Sequence, residues 1–202
     1  MIKPHFTIRP HSNPLKGNAI MTRVPAIASK ADVPAEHHDL VDHVTKVFGA
    51  LRGPSSVLLH SPKMAWSVFN LGDYFRDQSI VEPRVRSVGI LIAARERQGV
   101  YVWGAQVNAA RKNDVPEAVI DLIRSRASPS RFPDGDREVA AYAEQLMRTN
   151  RVEQSTFDAL NKGRSVQWMV ELTTVINYYA MLSGITSALE VPAPENYDPL
   201  PR

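Results

Sequence analysis

Pro83–Lys112 reads PRVRSVGILIAARERQGVYVWGAQVNAARK, and its periodicity decides the fold. Pro83 suits the first position of a helix, and Val85, Val88, Leu91, Ile92 and Arg95 then recur at three- and four-residue spacing. Gly99 closes that helix, and a second runs from Val100 to Lys112 before Asn113-Asp114. Only a few residues around Gln98-Gly99 join the two, so they must pack antiparallel. Ser87 on the first helix and Trp103 and Gln106 on the second are therefore expected to line one pocket.

The same period continues on both sides. Pro34 opens a helix through Leu40, Val41, Val44, Val47, Phe48 and Leu51, which Gly53-Pro54 stops. Ser61-Pro62 opens another, expected to bury Met64, Trp66, Phe69 and Tyr74. Beyond Lys112 come a short helix after Pro116, a loop over residues 126–135, a helix through Ala140 and Met147, a short one around Phe157 and Leu160, and a long one from Val166 to about Leu189 capped by Ser165. No run of alternating β-branched residues interrupts this pattern. The expectation is an all-α bundle of about eight helices over residues 31–191, with an extended basic arm at 1–30 and a Pro-rich tail at 192–202.

Of the 202 residues, 44% are hydrophobic and 22% charged, enough for a sizeable core, with no apolar run of membrane-spanning length. The net charge of +3 comes entirely from the arm, where Lys3, Arg9, Lys16, Arg23 and Lys30 stand without any Asp or Glu. The rest is slightly acidic, which argues against a nucleic-acid groove. Residues 1–21 carry neither a continuous apolar segment nor a small-residue cleavage site, so a secretory signal is not expected. An extended arm or an upstream start before Met21 accounts for them, and a cytoplasmic location is expected. There is no cysteine, which removes disulfides, zinc–thiolate sites and every thiol mechanism. G-x-G-x-x-G after a strand, P-loop and H-E-x-x-H patterns are missing too, so no cofactor and no metal are expected.

The segment 83–112 resembles the signature of the carboxymuconolactone decarboxylase and alkylhydroperoxidase D superfamily: a helix of the form (R)-E-L-x-I-L-x-x-A-R, a Gly-containing turn, then Y-E-W-x-x-H. LLHSPKMAW looks like the family's H-S-P helix start, Asn113–Glu117 stands at its G-L-x-x-E turn, and Trp168–Tyr179 looks like its closing helix. The resemblance runs from about Val33 to Val191 and implies an alkylhydroperoxidase D-like helical bundle. It also implies acid–base positions, and this chain departs from all of them. Ungapped alignment puts Ser87 at the R-E-L Glu, Val102 at the E-W Glu and second Cys, Gly99 at the first Cys, and Gln106 at the His. Neither Gln nor Val moves a proton near pH 7, and Ser does so only beside a base. Val102 and Gln106 share a helical face, offering an apolar wall and an amide.

Two side chains are candidates for a substitute base. His60 precedes the Ser61-Pro62 helix start, where it either faces the pocket or packs at a helix entrance. Glu171 shares a stripe with Trp168, Val175, Tyr178 and Leu182, where burial would raise its pKa, unless it pairs with Arg86 or Arg95. The group His37, His38, Asp39, Asp42 and His43 has metal-like composition but lies on two neighbouring faces and reads as a solvated surface. Arg124, Arg126 and Arg131 would either clamp an anionic substrate or decorate a loop.

Two functions remain open. One is a cofactor-free lyase, isomerase or hydrolase acting on a small cyclic or aromatic-pathway compound. In it Ser87 and Gln106 orient a carbonyl or carboxylate, Tyr101, Val102, Trp103 and Arg86 contact substrate, and His60 or Glu171 serves as base. The other is a non-catalytic ligand-binding or scaffold member. The resemblance implies that either would be a homo-oligomer, a trimer or a multiple of one, and eight short, strongly apolar helices would otherwise leave Trp66, Phe69 and Tyr178–Tyr179 with much exposed area.

Overall fold

The computed structural model describes residues 22–201, so the readings of residues 1–21 fall outside it. Among the described residues there is no strand, and nine α-helices follow in order. They are α1 (His38–Phe48), α2 (Ser55–Leu58), α3 (Pro62–Asp77), α4 (Pro83–Glu96), α5 (Val100–Lys112), α6 (Glu117–Arg124), α7 (Asp136–Thr149), α8 (Gln154–Asn161) and α9 (Val166–Ala188). The helix beyond the expected eight is the single turn α2, placed where Gly53-Pro54 reads as a stop.

Helix α4 is the axis of the molecule. Every residue from Ser87 to Arg95 is buried, and α5, α7 and α9 pack around it. Leu91 and Val88 of α4, Trp103 and Val107 of α5, and Leu172 and Ile176 of α9 are all sealed from solvent. Burying each side chain of this size contributes roughly 1.5–3 kcal/mol. The α4–α5 turn is tight as expected, but its left-handed residue is Gln98 (φ 52°), not Gly99. Gly99 is needed for another reason: a Cβ there would lie 2.5 Å from Cβ of Ser183 and 3.3 Å from its backbone, on α9. The start of α4 is tied to α7 by Arg84, whose guanidinium meets both carboxylate oxygens of the buried Asp136 at 2.5 and 2.7 Å.

Several expected burials shift. On α3 the inward stripe runs through Ala65, Phe69 and Phe75, leaving Met64 and Trp66 exposed on the opposite side. Phe69 and Tyr178 are covered within the chain itself, so they supply no reason for oligomerisation. Chain on both sides of the helices joins the packing. Ile27 is buried in the core and its N–H donates to Ser56 O, while Leu200 beyond the last helix is also buried. Helix α9 carries one charge in 23 residues, Glu171, and that one is buried. Its solvent face is uncharged and includes Val166, Val170 and Met181.

Candidate functional site

A cavity of about 350 Å³ lies between α3, α4, α5 and α9, closed by the segment around Arg52 and by Tyr197. Phe69, Phe75, Ile90, Val102, Val175 and Leu182 form its apolar walls. Ser87, Gln106, Asn113 and the tyrosines 101, 178, 179 and 197 supply neutral polar groups, and Arg52, Arg76 and Arg86 supply charge. Among the described residues no His, Asp or Glu lines it. Of the residues singled out from the sequence, Ser87, Gln106, Tyr101, Val102 and Arg86 meet here, while Trp103, His60 and Glu171 do not.

The reason lies in helix geometry. On α5, Val102, Ala105, Gln106, Ala109 and the following Asn113 form one stripe that faces the cavity. Trp103 belongs with Val107 and Ala110 on the buried opposite side. It fills the core, with the Arg124 guanidinium 5.7 Å from its ring centre and, among the described residues, no partner for its Nε1–H. His60 is exposed and donates to Pro25 O at 2.6 Å, so it braces the incoming segment and offers no base to the cavity.

Glu171 is likewise structural. Burial pushes its carboxyl up, but hydrogen bonds from Tyr74, Gln167, Ser79 and the Ile80 N–H outweigh burial and hold it at about 2. The contacts from Tyr74 Oη, Gln167 Nε2 and Ile80 N measure 2.7, 2.7 and 2.9 Å. It pairs with neither Arg86 nor Arg95; the latter donates to Arg124 O at 2.8 Å. A carboxylate depressed in the fold adds stability above its unfolded value near 4.5, and this is lost as pH falls through the folded value near 2. Glu171→Gln should therefore cost about 1–3 kcal/mol at pH 7. The gap from wild type should close between about pH 4.5 and 2 in denaturant titrations.

The Ser87 hydroxyl donates to Pro83 O at 2.9 Å and accepts from Asn113 Nδ2 at 3.0 Å, so it holds Asn113 in place and has no base beside it. Burial pushes the Tyr101 and Tyr178 phenols up, with Tyr197 adding to the effect at Tyr101 and Tyr179 at Tyr178. Burial raises Tyr179 as well, against the opposing influence of Arg86, Arg76 and the neighbouring Gln106. Arg76 is matched by Asp73 and Asp77, both at 2.8 Å. Arg86 donates only to the backbone oxygens of Val81 and Ser79.

The last wall comes from an unexpected place. Tyr197 lies beyond every helix, and its ring meets Tyr101 edge-on at 5.6 Å. Its Cβ occupies the space beside Gly104, where a Cβ would stand 2.5 Å away. Asp198 then pairs with Arg111 at 2.5 Å and Arg124 at 3.2 Å. Arg124 thus holds the tail rather than a substrate, and Arg126 pairs with Glu96. Arg52, Arg76, Asn113, Tyr178, Tyr179 and Tyr197 were not foreseen as wall residues. Tyr178 and Tyr179 could have been found from their stripe on α9, and Asn113 from the cavity-facing stripe of α5, but nothing local marks Tyr197. On α1, His43 pairs with Asp73 at 2.7 Å and Asp42 with Lys30 at 2.6 Å.

Compared by sequence, the chain matches no family model and no curated protein. Compared by structure, it is similar to an uncharacterized peroxidase-related protein of Ralstonia eutropha JMP134 with an alkylhydroperoxidase AhpD core. That match has a TM-score of 0.73 at 15% identity, over 89% of this chain and 95% of that one. The debrominase Bmp8, in a cysteine-to-alanine variant bound to 2,3,4-tribromopyrrole, superimposes with a TM-score of 0.71 at 13% identity, over 88% and 95%. A protein of unknown function from Agrobacterium tumefaciens, described as a putative antioxidant defence protein AhpD, gives 0.59 at 17% identity, over 68% and 94%. The architecture is the alkylhydroperoxidase D-like helical fold, as the signature implied.

Proposed function

We propose that the chain is a cofactor-independent enzyme acting on a small cyclic compound held in the α3–α4–α5–α9 cavity. The observation that carries this reading is the cavity's lining: a recessed, mostly apolar space into which two amides, several neutral phenols and arginines converge. A debrominase of the same fold with a small aromatic heterocycle bound supports the choice of ligand class. In this reading Gln106 polarises a carbonyl or carboxylate of the substrate, Tyr101, Val102 and Arg86 contact it, and Ser87 acts through Asn113. The reaction is a lyase, isomerase or hydrolase step. Among the described residues no imidazole and no carboxyl lines the cavity, which favours a second reading, a ligand-binding member without turnover.

Ligand-observed NMR with a panel of cyclic lactones, enol acids and phenols, followed by mass analysis of each binder after incubation, separates the two. The enzyme reading expects a binder that is converted and whose conversion falls in Gln106→Ala. Binding without conversion selects the second reading, and a panel with no binder displaced by blocking the cavity refutes both.

No hydroperoxide reduction is expected with any dithiol-recycling system, because there is no thiol to form the mixed intermediate. A coupled assay should stay at its buffer blank. Among the described residues no helix is long and apolar enough to cross a membrane. The uncharged outer face of α9 supports a homo-oligomer, and we assign a trimer or a multiple of one and a cytoplasmic setting as part of the same proposal.

A further inference from the structure

Resting on the reading that the α3–α4–α5–α9 cavity is the ligand site, we propose that Tyr101 sets the length of the compound it accepts. The Tyr101 ring is a side-chain partition between that cavity and a second apolar hollow, and it stops a ligand at the length of a single ring with a short substituent.

The two spaces meet at this side chain. The second hollow, about 690 Å³ and more open to solvent, lies between the segment that starts at residue 22, the turn around Gly53 and the stretch after α9. Val24, Pro25, Ala26, Leu51, Pro192 and Pro194 give it apolar walls. Among the described residues only Tyr101 and Arg52 line both this hollow and the cavity. Arg52 is an exposed side chain, whereas Tyr101 is 7% exposed, so the ring is the fixed part of the partition. Two neighbours hold it. Gly53, at φ 61°, leaves the room in which the ring lies, since a Cβ there would stand 2.2 Å from Tyr101 Cε1 and Cζ. Tyr197 meets the ring edge-on, with centres 5.6 Å apart.

The cavity runs along α5, whose lining residues are Tyr101, Val102, Ala105, Gln106 and Ala109, with Asn113 just beyond. Its two amides therefore lie towards the C-terminal end of that helix, and the Tyr101 ring stands at the N-terminal end. Five residues separate Tyr101 from Gln106, about 7.5 Å along the helix axis. A compound whose polar group meets Gln106 and whose apolar end points the other way meets the Tyr101 ring first, and behind the ring lies more apolar wall. Each methylene taken from water into apolar surroundings gains roughly fourfold in affinity. A closed end is therefore read as the point at which a homologous series stops gaining.

The test is such a series. Phenol, 4-ethylphenol, 4-butylphenol and 4-hexylphenol are titrated calorimetrically against the full chain and its variants, and the ratio of the hexyl to the ethyl affinity is the readout. In the wild type the gain should stop after the ethyl compound, leaving a ratio of about one or less. In Tyr101→Ala the gain should resume, raising the ratio by about tenfold or more. Tyr101→Phe keeps the ring and should keep the wild-type ratio. Ala26→Phe, at an exposed position on the wall of the second hollow, should change nothing alone and should bring the ratio of Tyr101→Ala back towards the wild-type value. Because both affinities are measured on one sample, partial unfolding of a variant does not move their ratio. Should Tyr101→Ala fail to fold, Tyr101→Leu should raise the ratio by a smaller factor. The same ratio in the wild type and the shortened variant would overturn the proposal while leaving the cavity as ligand site. A rise in Tyr101→Phe equal to that in Tyr101→Ala, or one that Ala26→Phe does not reverse, would also overturn it. Failure of every member to bind would remove the ligand-site reading itself, and the proposal with it.

Discussion

Arg84→Gln should lower the unfolding free energy by about 3–5 kcal/mol, the range for stranding one partner of a buried ion pair. For a chain of this length, 3 kcal/mol corresponds to a fall in Tm of roughly 6–12 °C. The two partners differ in exposure, so the two deletions should not be equal. Asp136 is 1% exposed and Arg84 38%. Removing the arginine leaves a carboxylate sealed from water, held only by the N-terminal turn of α7 in which it sits. Removing the acid by Asp136→Asn leaves a guanidinium that water still reaches and that keeps its 3.3 Å contact to Asp114 O. Asp136→Asn should therefore cost less, and the double variant should cost less than the sum of the singles, as a double-mutant cycle would read. Equal losses would mean that the pair is not buried asymmetrically. The pair also matters for the cavity, because Arg86 and Ser87 follow Arg84 within one turn of the same helix. A helix start loosened there should weaken ligand binding before global unfolding.

The second large effect is on chemistry. Wild-type protein should turn over 4-carboxymuconolactone no faster than the buffer blank, whereas Val102→Glu combined with Gln106→His should acquire measurable decarboxylation. Loss of carbon dioxide needs the developing enolate to be stabilised and its carbon to be protonated. Both positions line the cavity, four residues apart on one face of α5, so the double variant would set a carboxyl and an imidazole side by side. General acid–base groups contribute about 10²–10⁴-fold, so neither single variant should approach the double. Val102 is 3% exposed, and a carboxyl there would be pushed up by burial, towards the range where it can donate a proton at neutral pH. Product formation followed by ultraviolet absorbance and mass analysis is the readout. Efficient turnover by the wild type would mean that the cavity's phenols and amides suffice without those acids.

The two helices of 83–112 were legible because both are long and strongly periodic. The direction of Val102 and Gln106 followed from their i, i+4 spacing. Trp103 was misplaced because α5 is apolar on two stripes, and periodicity cannot say which of them meets the core and which meets the cavity. Glu171 shows a different limit. Its burial was visible from its stripe, but its ionisation depends on Tyr74 and Ile80, 97 and 91 residues away in the chain, so the direction of its shift could not be read locally. His60 was placed correctly at a helix start, yet its partner is Pro25, a residue in the segment read as an arm. Arg52, Asn113 and Tyr197 reach the cavity from outside regular helix, where no repeat spacing reports which way a side chain faces.

The wall that Tyr197 supplies has a consequence for the order in which the site comes into being. A ribosome delivers α1 through α9 before it delivers residue 197, so the helical frame around the cavity can assemble while that side is still open. Tyr197 and Asp198 then settle onto α5 as the last-made part of the enclosure, on a surface prepared by Gly104, Arg111 and Arg124. During that interval the nascent protein has its arginines and its amides in place but a wider mouth than the finished one.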